Sequence, residues 1–352
     1  MTQYLDYVTR YLSPVLLSPE AKEDVYAIAR KVSFGHVSGF ECRLGEGESQ
    51  VDFQMAYVPG LSLPSAFLEN PVWQLIDAYG DFLLTIPADE RSPLKLILEF
   101  DCAQPVTPMP VPSVFLALEK AEPGKPQDIV AESEQLLPED VPCTGMLDTI
   151  SGTLQESARV TYLGFMLARP ENAVRVNIAG LDGRGAAAYL KLLGWKSETT
   201  ELERLFGLIS PLFSRLILAI DLVEERVSPR LGLELFSKFD PVNPKAQWDP
   251  LLDICVFQNW CTIEKAAGLK NWIGVSQPGS DAENWPPSLK ALEGFMGAGA
   301  YSLLYRYVNH LKLVYTPGLP VEAKAYLGFA HRWLDKARIR KAIDAVRNQS
   351  DE

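Results

Sequence analysis

Five pairs of short strand-like segments alternate with helical segments along this chain. In most of these strands, one set of alternate positions is apolar and the other set carries Lys, Arg, Asp or Glu, as in LKLILEF. Successive side chains of a strand point to opposite faces, so Leu94, Leu96 and Leu98 share one face. Lys95 and Glu99 share the other face. The pattern therefore predicts a sheet with one face covered by helices and one face toward water or a ligand.

The predicted elements form one domain of residues 1–352, with helices within 1–32, five hairpin and helix units over 37–330, and a closing helix over 331–348. A helix ending near Tyr307 precedes the last strand pair, and the Pro- and acid-rich stretch Ala121–Pro142 is predicted to be a surface loop. The predicted strand pairs are Gly39–Leu44 with Gln50–Tyr57, Leu94–Phe100 with Ser113–Glu119, Arg159–Leu167 with Ala173–Gly180, Leu216–Glu224 with Pro229–Phe236, and His310–Tyr315 with Val321–Phe329.

Ten antiparallel strands with helices between the hairpins can close into a barrel, which removes the exposed edge strands. We therefore predict an α+β fold: a ten-stranded antiparallel β-barrel surrounded by α-helices and built from repeated α-β-β-α units. A five-bladed α/β propeller also has five pseudo-repeats and is the competing architecture. Against the propeller, no set of His, Cys and acidic residues near the end of the chain has the arrangement of a catalytic centre.

Composition narrows the choice of function. The 352 residues are 47% hydrophobic, enough for a sizeable core, and the net charge of -12 argues against broad nucleic-acid binding. The five cysteines are scattered without CxxC spacing, which favours reduced thiols over zinc or disulfides. The N-terminus resembles no signal peptide and no apolar run reaches membrane-spanning length, so we expect a cytoplasmic protein without membrane insertion.

The charged strand faces are the candidate site. Fixed cations come from all five hairpins, and a dry interior could not hold unpaired ions. A cavity that contains water and a polyanion could hold them, because Arg and Lys both bind phosphate oxygens. The inward-facing set comprises Glu41 and Arg43, Asp52 and Gln54, Lys95 and Glu99, Tyr162 and Met166, Arg175 and Asn177, Asp221, Arg230 and Glu234, His310 and Lys312, and Lys324 and Tyr326.

With its α-β-β-α repeats, Glu41 in GFECRL and the Lys324-Ala325-Tyr326 pattern, the chain resembles the ABBA, or PT-barrel, prenyltransferases. In these soluble enzymes a ten-stranded barrel binds an isoprenoid diphosphate and an aromatic acceptor. The resemblance implies that Glu41 orients the acceptor and takes up its proton, and that Tyr326 stabilises the allylic cation. The implied diphosphate ligands are Lys95, Arg175, Asn177, Arg230, Lys312 and Lys324, and the other expected lumen residues are Gln54, Tyr162, Met166 and Glu234.

Two positions depart from the family pattern. Asp52 stands where the indole-type branch has an Arg, and it is similar to the Asp that can hold Mg²⁺ in the bacterial phenol-type branch, so Mg²⁺ on Asp52 is the one cofactor implied. Ile97 stands where the family has a tyrosine that shields the allylic cation.

The resemblance implies transfer of an allylic group from its diphosphate to an indole, phenol or peptide side chain by electrophilic substitution, as in secondary-metabolite biosynthesis. The first alternative is a non-catalytic PT-barrel-like protein that binds a small molecule or peptide. The second is a propeller hydrolase that uses Cys255 or Cys261 with His310 or His331.

Overall fold

The computed structural model describes residues 1–32, 37–60, 63–85, 95–102, 109–118, 144–169, 171, 173–197, 199–238, 240 and 242–335. The predicted loop Ala121–Pro142 and residues 336–348 of the predicted closing helix lie outside them. The α-helices of these ranges are α1 (Thr2–Val8), α2 (Pro19–Ala29), α3 (Pro71–Thr85), α4 (Thr144–Thr153), α5 (Gly183–Leu192), α6 (Thr200–Ile209), α7 (Asp249–Phe257), α8 (Ile263–Trp272) and α9 (Pro287–Met296). The strands are β1 (Val37–Arg43), β2 (Val51–Ala56), β3 (Lys95–Phe100), β4 (Ser113–Ala117), β5 (Arg159–Phe165), β6 (Val174–Ala179), β7 (Arg215–Val223), β8 (Arg226–Phe236), β9 (Gly274–Ser276), β10 (Ala300–Tyr315) and β11 (Glu322–Asp335).

Side-chain caps determine where several helices begin. The Ser18 hydroxyl accepts a hydrogen bond from the Ala21 amide at 3.2 Å, and Pro19 occupies the first position of α2. The Thr262 hydroxyl accepts one from the Lys265 amide at 3.2 Å at the start of α8. Such caps satisfy amides that have no partner within the helix, so short polar residues fix the ends of helices whose apolar faces pack on the sheet.

Ten strands close into an antiparallel barrel, which confirms the predicted fold. Their order is β1-β2-β3-β4-β5-β6-β7-β8-β10-β11, and β11 also pairs with β1. The closing seam runs from Val37 opposite Ala330 to Arg43 opposite Lys324. The short strand β9 pairs with the outer part of β10 and takes no part in the closure. The propeller alternative is wrong, because one continuous sheet contains all the strands of the described ranges.

The apolar strand face packs against helices, as the alternation predicts. On β8, Leu231, Leu233 and Leu235 are all buried in this outer layer. Trp272 of α8 meets Phe40 of β1 edge-on, with ring centroids 6.0 Å apart. The main hydrophobic core is therefore a shell between barrel and helices, and this arrangement leaves the lumen to polar side chains.

The last hairpin is longer than the sequence predicts. Strand β10 begins at Ala300, so the helix predicted to end near Tyr307 is wrong in its final part. Strand β11 runs on to Asp335, so the predicted closing helix does not begin at His331. Aromatic and β-branched residues favour extended structure, and the continuous cross-strand pairing from Ala300–Asp335 inward outweighs the helical pattern in both segments.

A β-bulge divides strand β10 into two halves. The register shifts between Val308 and His310, leaving Asn309 as the extra residue. Before the bulge, even-numbered residues such as Leu304 are buried in the outer layer; after it, odd-numbered residues such as Leu311 take that position. A bulge reverses the phase of a strand, and this one turns the side chain of His310 toward the lumen.

None of the helices in the described ranges combines the length and the apolar character needed to cross a lipid bilayer.

We predict that Gly39→Ala destabilises the protein, because the new Cβ would lie 2.3 Å from the Leu327 carbonyl oxygen at the closing seam. The expected loss in the free energy of unfolding is about 2 kcal/mol, measured by urea denaturation. The control is Gly207→Ala on α6, where a Cβ meets no atom within 4 Å among the described residues. The control should gain about 0.5–1 kcal/mol from helix propensity. Equal stability of Gly39→Ala and wild type would contradict the tight strand contact.

Candidate active site in the barrel lumen

The lumen holds two connected cavities. The first, called the aromatic cavity, has an empty volume of about 690 Å³ out to its open mouth and is lined by Gln54, Ile97, Glu99, Phe115, Tyr162, Arg175, Asn177, Arg215, Glu234, Phe236, Asn309, His310, Lys312 and Tyr326. The second, called the cationic cavity, has about 360 Å³ and is lined by Glu41, Arg169, Arg175, Ala219, Asp221, Arg230, Leu231, Gly232, Lys312, Val314, Lys324 and Tyr326. Because Arg175, Lys312 and Tyr326 line both, the two cavities meet at these three side chains.

Most of the residues predicted from sequence line these two cavities. They are Glu41, Gln54, Tyr162, Arg175, Asn177, Arg230, Glu234, Lys312, Lys324 and Tyr326. Arg43, Asp52 and Met166 line neither cavity. Met166 is buried with its sulfur 3.4 Å from the Arg169 guanidinium, and Asp52 is fully buried. Lys95 begins β3, and its side chain lies outside the described residues. Their functional roles stay predictions.

Each cation of the cationic cavity has a carboxylate within ion-pair distance, which the strand pattern alone did not indicate. The pairs are Arg169–Asp101 at 2.8 Å, Arg175–Asp221 at 2.7 Å, Lys312–Glu234 at 3.1 Å, Lys324–Glu41 at 2.7 Å and Arg230–Glu322 at 3.4 Å. Glu41 and Asp221 line this cavity together with the five cations, while Asp101, Glu234 and Glu322 pair with their cations outside its lining.

Glu41 is held in place from three sides. Its carboxylate accepts hydrogen bonds from the Lys324 ammonium at 2.7 Å and from the Tyr326 hydroxyl, and the Arg43 guanidinium lies 3.1 Å away. Burial opposes its charge, but the cations of Lys324, Arg43 and Lys312 outweigh burial and hold the pKa of Glu41 well below its usual value. Glu41 is therefore a fixed anion that borders the cationic cavity.

Asp52 does not have the surroundings of a Mg²⁺ ligand. One carboxylate oxygen bonds the Arg43 guanidinium at 2.6 Å, and the other accepts from Gln50 and from the Cys102 amide. Mg²⁺ needs several oxygen ligands and open positions for water, and within the described ranges no three acidic, His or Cys side chains cluster in a way that could hold a metal. The donor set does not fit the implied Mg²⁺.

Glu99 is a site residue for which the strand pattern predicts only an inward-facing side chain. Its carboxyl group lies in the wall of the aromatic cavity, accepts from Gln54 at 2.6 Å and lies 3.1 Å from the Arg169 guanidinium. Burial, aided by the nearby charge of Glu41, raises the pKa of Glu99 to about 7, although Arg169 and Arg175 act in the opposite direction. A carboxyl group with this pKa can both accept and release a proton near neutral pH.

Sequence reasoning missed Arg169, Phe115 and Phe236. Arg169 lies in the turn after β5, and strand alternation carries no information about turns. Phe115 and Phe236 occupy inward positions of β4 and β8. The strand pattern assigns polar residues to the lumen, so these two phenylalanines resemble core residues. Their positions in the strands could have identified them, because Phe115 is adjacent to the outward-facing Leu116 and Phe236 is two residues from the inward-facing Glu234.

Cys255 and Cys261 do not have the surroundings of a nucleophile. Cys255 and Cys261 are buried outside the lumen, and desolvation raises the pKa of each thiol to about 12. A thiolate, not a thiol, is the reactive form. His310 lies in the lumen and His331 bonds Ser302 on the outer part of the last hairpin, so these residues do not form the centre that a propeller hydrolase would need.

Comparisons with known proteins find similar solved structures but no similar sequences. The structure is similar to that of AnaPT from Neosartorya fischeri, with 15% identity, a TM-score of 0.50, and 84% of this chain and 79% of that chain covered. It is also similar to prenyltransferase PriB in its apo form, with 13% identity, a TM-score of 0.49, and 94% of each chain covered. No protein-family model matches the sequence, and a search of curated proteins finds no match.

At such low identity a structural likeness speaks for the fold alone. The closed ten-stranded antiparallel barrel with helices around it is a PT barrel, and the resemblance to the PT-barrel fold of the ABBA prenyltransferases is thereby confirmed.

We predict that Glu99→Gln changes the dependence of stability on pH. The folded protein holds the Glu99 proton up to a pKa of about 7, above the ordinary value of 4.5. The unfolded chain ionises first, so the stability of the wild type falls as the pH rises between these two values. Because Gln cannot ionise, the variant should gain about 3 kcal/mol relative to wild type between about pH 4 and about pH 8, measured by urea denaturation.

The exposed Glu156→Gln is the control for the loss of one carboxyl group, and its stability should follow that of the wild type at both pH values. A constant difference between Glu99→Gln and wild type across this range would contradict the raised pKa.

Proposed function

We propose that this protein is an aromatic prenyltransferase, which moves an allylic isoprenoid group from its diphosphate to an aromatic acceptor by electrophilic substitution. The observation that carries the proposal is the division of one lumen into a cationic cavity and an aromatic cavity that meet at Arg175, Lys312 and Tyr326. A prenyl diphosphate has the matching division, because one end is a polyanion and the other an apolar chain.

The cationic cavity suits the diphosphate. Lys312 and Lys324 lie directly opposite each other on β10 and β11, and Arg230 reaches the same cavity from β8. The bidentate pair with Asp221, at 2.7 and 2.9 Å, fixes the orientation of the Arg175 guanidinium. Cations that are held in place before the reaction can stabilise a leaving diphosphate without reorganising, which is usually the largest catalytic contribution.

The aromatic cavity suits the carbocation and the acceptor. The allylic C–O bond breaks with its electron pair leaving on the diphosphate, and a ring carbon of the acceptor then bonds to the allylic carbon. The rings of Tyr162, Phe115, Phe236 and Tyr326 line this cavity, and an aromatic face can stabilise a nearby cation by about 0.5–2 kcal/mol. They supply a shield where Ile97 does not.

The acceptor must finally lose a proton from the carbon that was alkylated. Glu99 lines the aromatic cavity with a pKa of about 7, which is favourable for a general base at neutral pH. Glu41 borders the other cavity and is held as an anion by Lys324 and Arg43. We therefore assign the proton to Glu99 and assign to Glu41 the positioning of Lys324 and Tyr326. No step is assigned to Mg²⁺, because the surroundings of Asp52 do not fit it.

The direct test is incubation of the purified protein with dimethylallyl, geranyl or farnesyl diphosphate and an indole or phenol acceptor, followed by mass spectrometry. Formation of a product heavier by the prenyl group, together with free diphosphate, supports the proposal. Absence of any product with all donor and acceptor combinations would overturn it.

We predict that Arg230→Gln raises the KM for the prenyl diphosphate about tenfold, the effect of losing one charged hydrogen bond to phosphate. Arg230 is 40% exposed and its ion pair with Glu322 is long, at 3.4 Å, so the variant should fold normally. Arg204→Gln on α6, outside the barrel and exposed, is the control for the loss of one positive charge and should leave KM unchanged. An unchanged KM in Arg230→Gln would remove this residue from the diphosphate site.

We predict that Glu99→Gln lowers kcat about 100-fold, within the range for loss of a general base, and abolishes the rise of kcat with pH near pH 7. Glu41→Gln should keep this rise, even if its kcat is lower, because Glu41 is not the titrating group. The measurement is kcat against pH for both variants. Loss of the rise in Glu41→Gln alone would instead support the role that the sequence predicts for Glu41.

A second candidate function follows from the ion pairs. Because each lumen cation of the cationic cavity already has a carboxylate partner, the barrel could bind a neutral molecule or peptide without turnover. Calorimetric binding of an aromatic ligand, with neither diphosphate binding nor product, would select this function.

A further inference from the structure

His310 is fixed between two aromatic rings in the wall of the aromatic cavity. Its imidazole stacks on Tyr326 with ring centroids 4.1 Å apart and an interplanar angle of 21°, and Phe236 lies 5.0 Å away on another side. Stacking occupies the faces of the imidazole and leaves its edge, where both nitrogens lie, free to take part in hydrogen bonds. The bulge at Asn309 gives the ring this direction.

Both nitrogens of His310 are buried and have no hydrogen-bond partner among the described residues. The nearest carboxylate oxygen, on Glu234, is 4.0 Å from Nε2, too far for a hydrogen bond. The side chain of His310 is 8% exposed. A buried polar atom without a partner costs free energy, so two such atoms on a fixed ring facing a cavity indicate a ligand that supplies the partners.

Asn177 presents a third atom of this kind. Its amide nitrogen donates to the Glu234 carboxylate at 3.0 Å, which leaves Oδ1 as the free end of the side chain, buried and without a partner in the described part of the chain. Glu234 thus orients Asn177 by a hydrogen bond and lies beside His310. Since an amide oxygen can only accept, the group that satisfies Asn177 must be an N–H or O–H donor.

The charge of the cavity wall also limits the ligand. The two carboxyl groups of the wall, Glu99 and Glu234, are already paired with Arg169 and Lys312, so a ligand that carries a fixed positive charge would find no free counter-charge there. Burial lowers the pKa of His310 to about 4, with Lys312 and Arg215 adding to the effect and Glu234 and Glu41 opposing it. The imidazole is therefore neutral at physiological pH, with one nitrogen available as an acceptor.

We propose that His310 and Asn177 form the recognition site for the acceptor, and that this acceptor is an uncharged aromatic molecule whose N–H or O–H donates to the His310 nitrogen or to Asn177 Oδ1. The identification of this ligand as an acceptor rests on the proposed function. The recognition role assigns to these residues the hydrogen bond that the sequence predicts for Glu41, whose oxygens are already bonded by Lys324 and Tyr326.

The test is calorimetry without any prenyl diphosphate, using two matched probe pairs: indole with 1-methylindole, and 1-naphthol with 1-methoxynaphthalene. The wild type should bind the donor-bearing member of each pair about tenfold more tightly, the effect of one hydrogen bond. His310→Phe keeps an aromatic ring and removes both nitrogens, so its preference should fall toward unity. His310→Asn keeps an acceptor and should restore part of the preference.

His331→Phe is the matched control, because His331 lies on the same strand pair outside the lumen and packs edge-on against Trp333. It should keep the full wild-type preference. Unchanged affinity of His310→Phe for the methylated probes shows that the variant is folded and that only the hydrogen bond is lost.

Equal affinity of the wild type for both members of each pair, or a preference that His310→Phe retains, would overturn the proposal. Prenyl transfer is read separately as product formation. A wild type that prefers the donor-bearing probes but makes no product supports the recognition site and refutes the transferase.

Discussion

Charge inside a closed barrel must be paired, and this constraint determines how most of the charged side chains in the lumen are arranged. The closure of β11 on β1 leaves no open edge through which water could reach the lumen side chains freely. Burying an ion is tolerable only if an opposite charge and hydrogen bonds compensate for its lost hydration. The pairs Arg175–Asp221, Lys312–Glu234 and Lys324–Glu41 meet this requirement. These ion pairs also hold each side chain in one position. The same contacts that make the charges tolerable in the folded protein therefore preorganise the site.

The closing seam and the site share the same residues. Glu41 of β1 lies opposite Tyr326 of β11 in the strand register, and their side chains bond each other within the lumen. Lys324, two residues earlier on β11, bonds the same carboxylate. All three of these side chains border the cationic cavity and Tyr326 borders both cavities, so correct closure of the barrel is a condition for assembling the site.

The alternation of apolar and polar residues was sufficient to predict the ten-stranded barrel and most of the lumen lining, because the apolar positions of each strand mark the face that packs against helices. It could not predict which cation pairs with which carboxylate, since Arg175 and Asp221 come from different hairpins and their contact depends on strand order. It could not find Arg169, which lies in a turn, or the unpartnered nitrogens of His310, which depend on the surrounding atoms. The long last hairpin was missed because cross-strand pairing overrode the local helical pattern.

The bulge at Asn309 lets the two halves of β10 follow opposite alternations of helix-facing and lumen-facing side chains. The outer half binds the helical shell, where Arg306 donates to the Trp272 carbonyl and to Ser276, while the inner half supplies His310 and Lys312 to the lumen. Without the bulge, with Asn309 paired like its neighbours, a single alternation would run through the whole strand and exchange the faces of one half. Leu311 and Leu313 would then line the cavities, and Lys312 would be buried among helices. The backbone geometry at Asn309 is therefore as tightly constrained as residue identity here, because it determines which side chains of the inner half face the lumen.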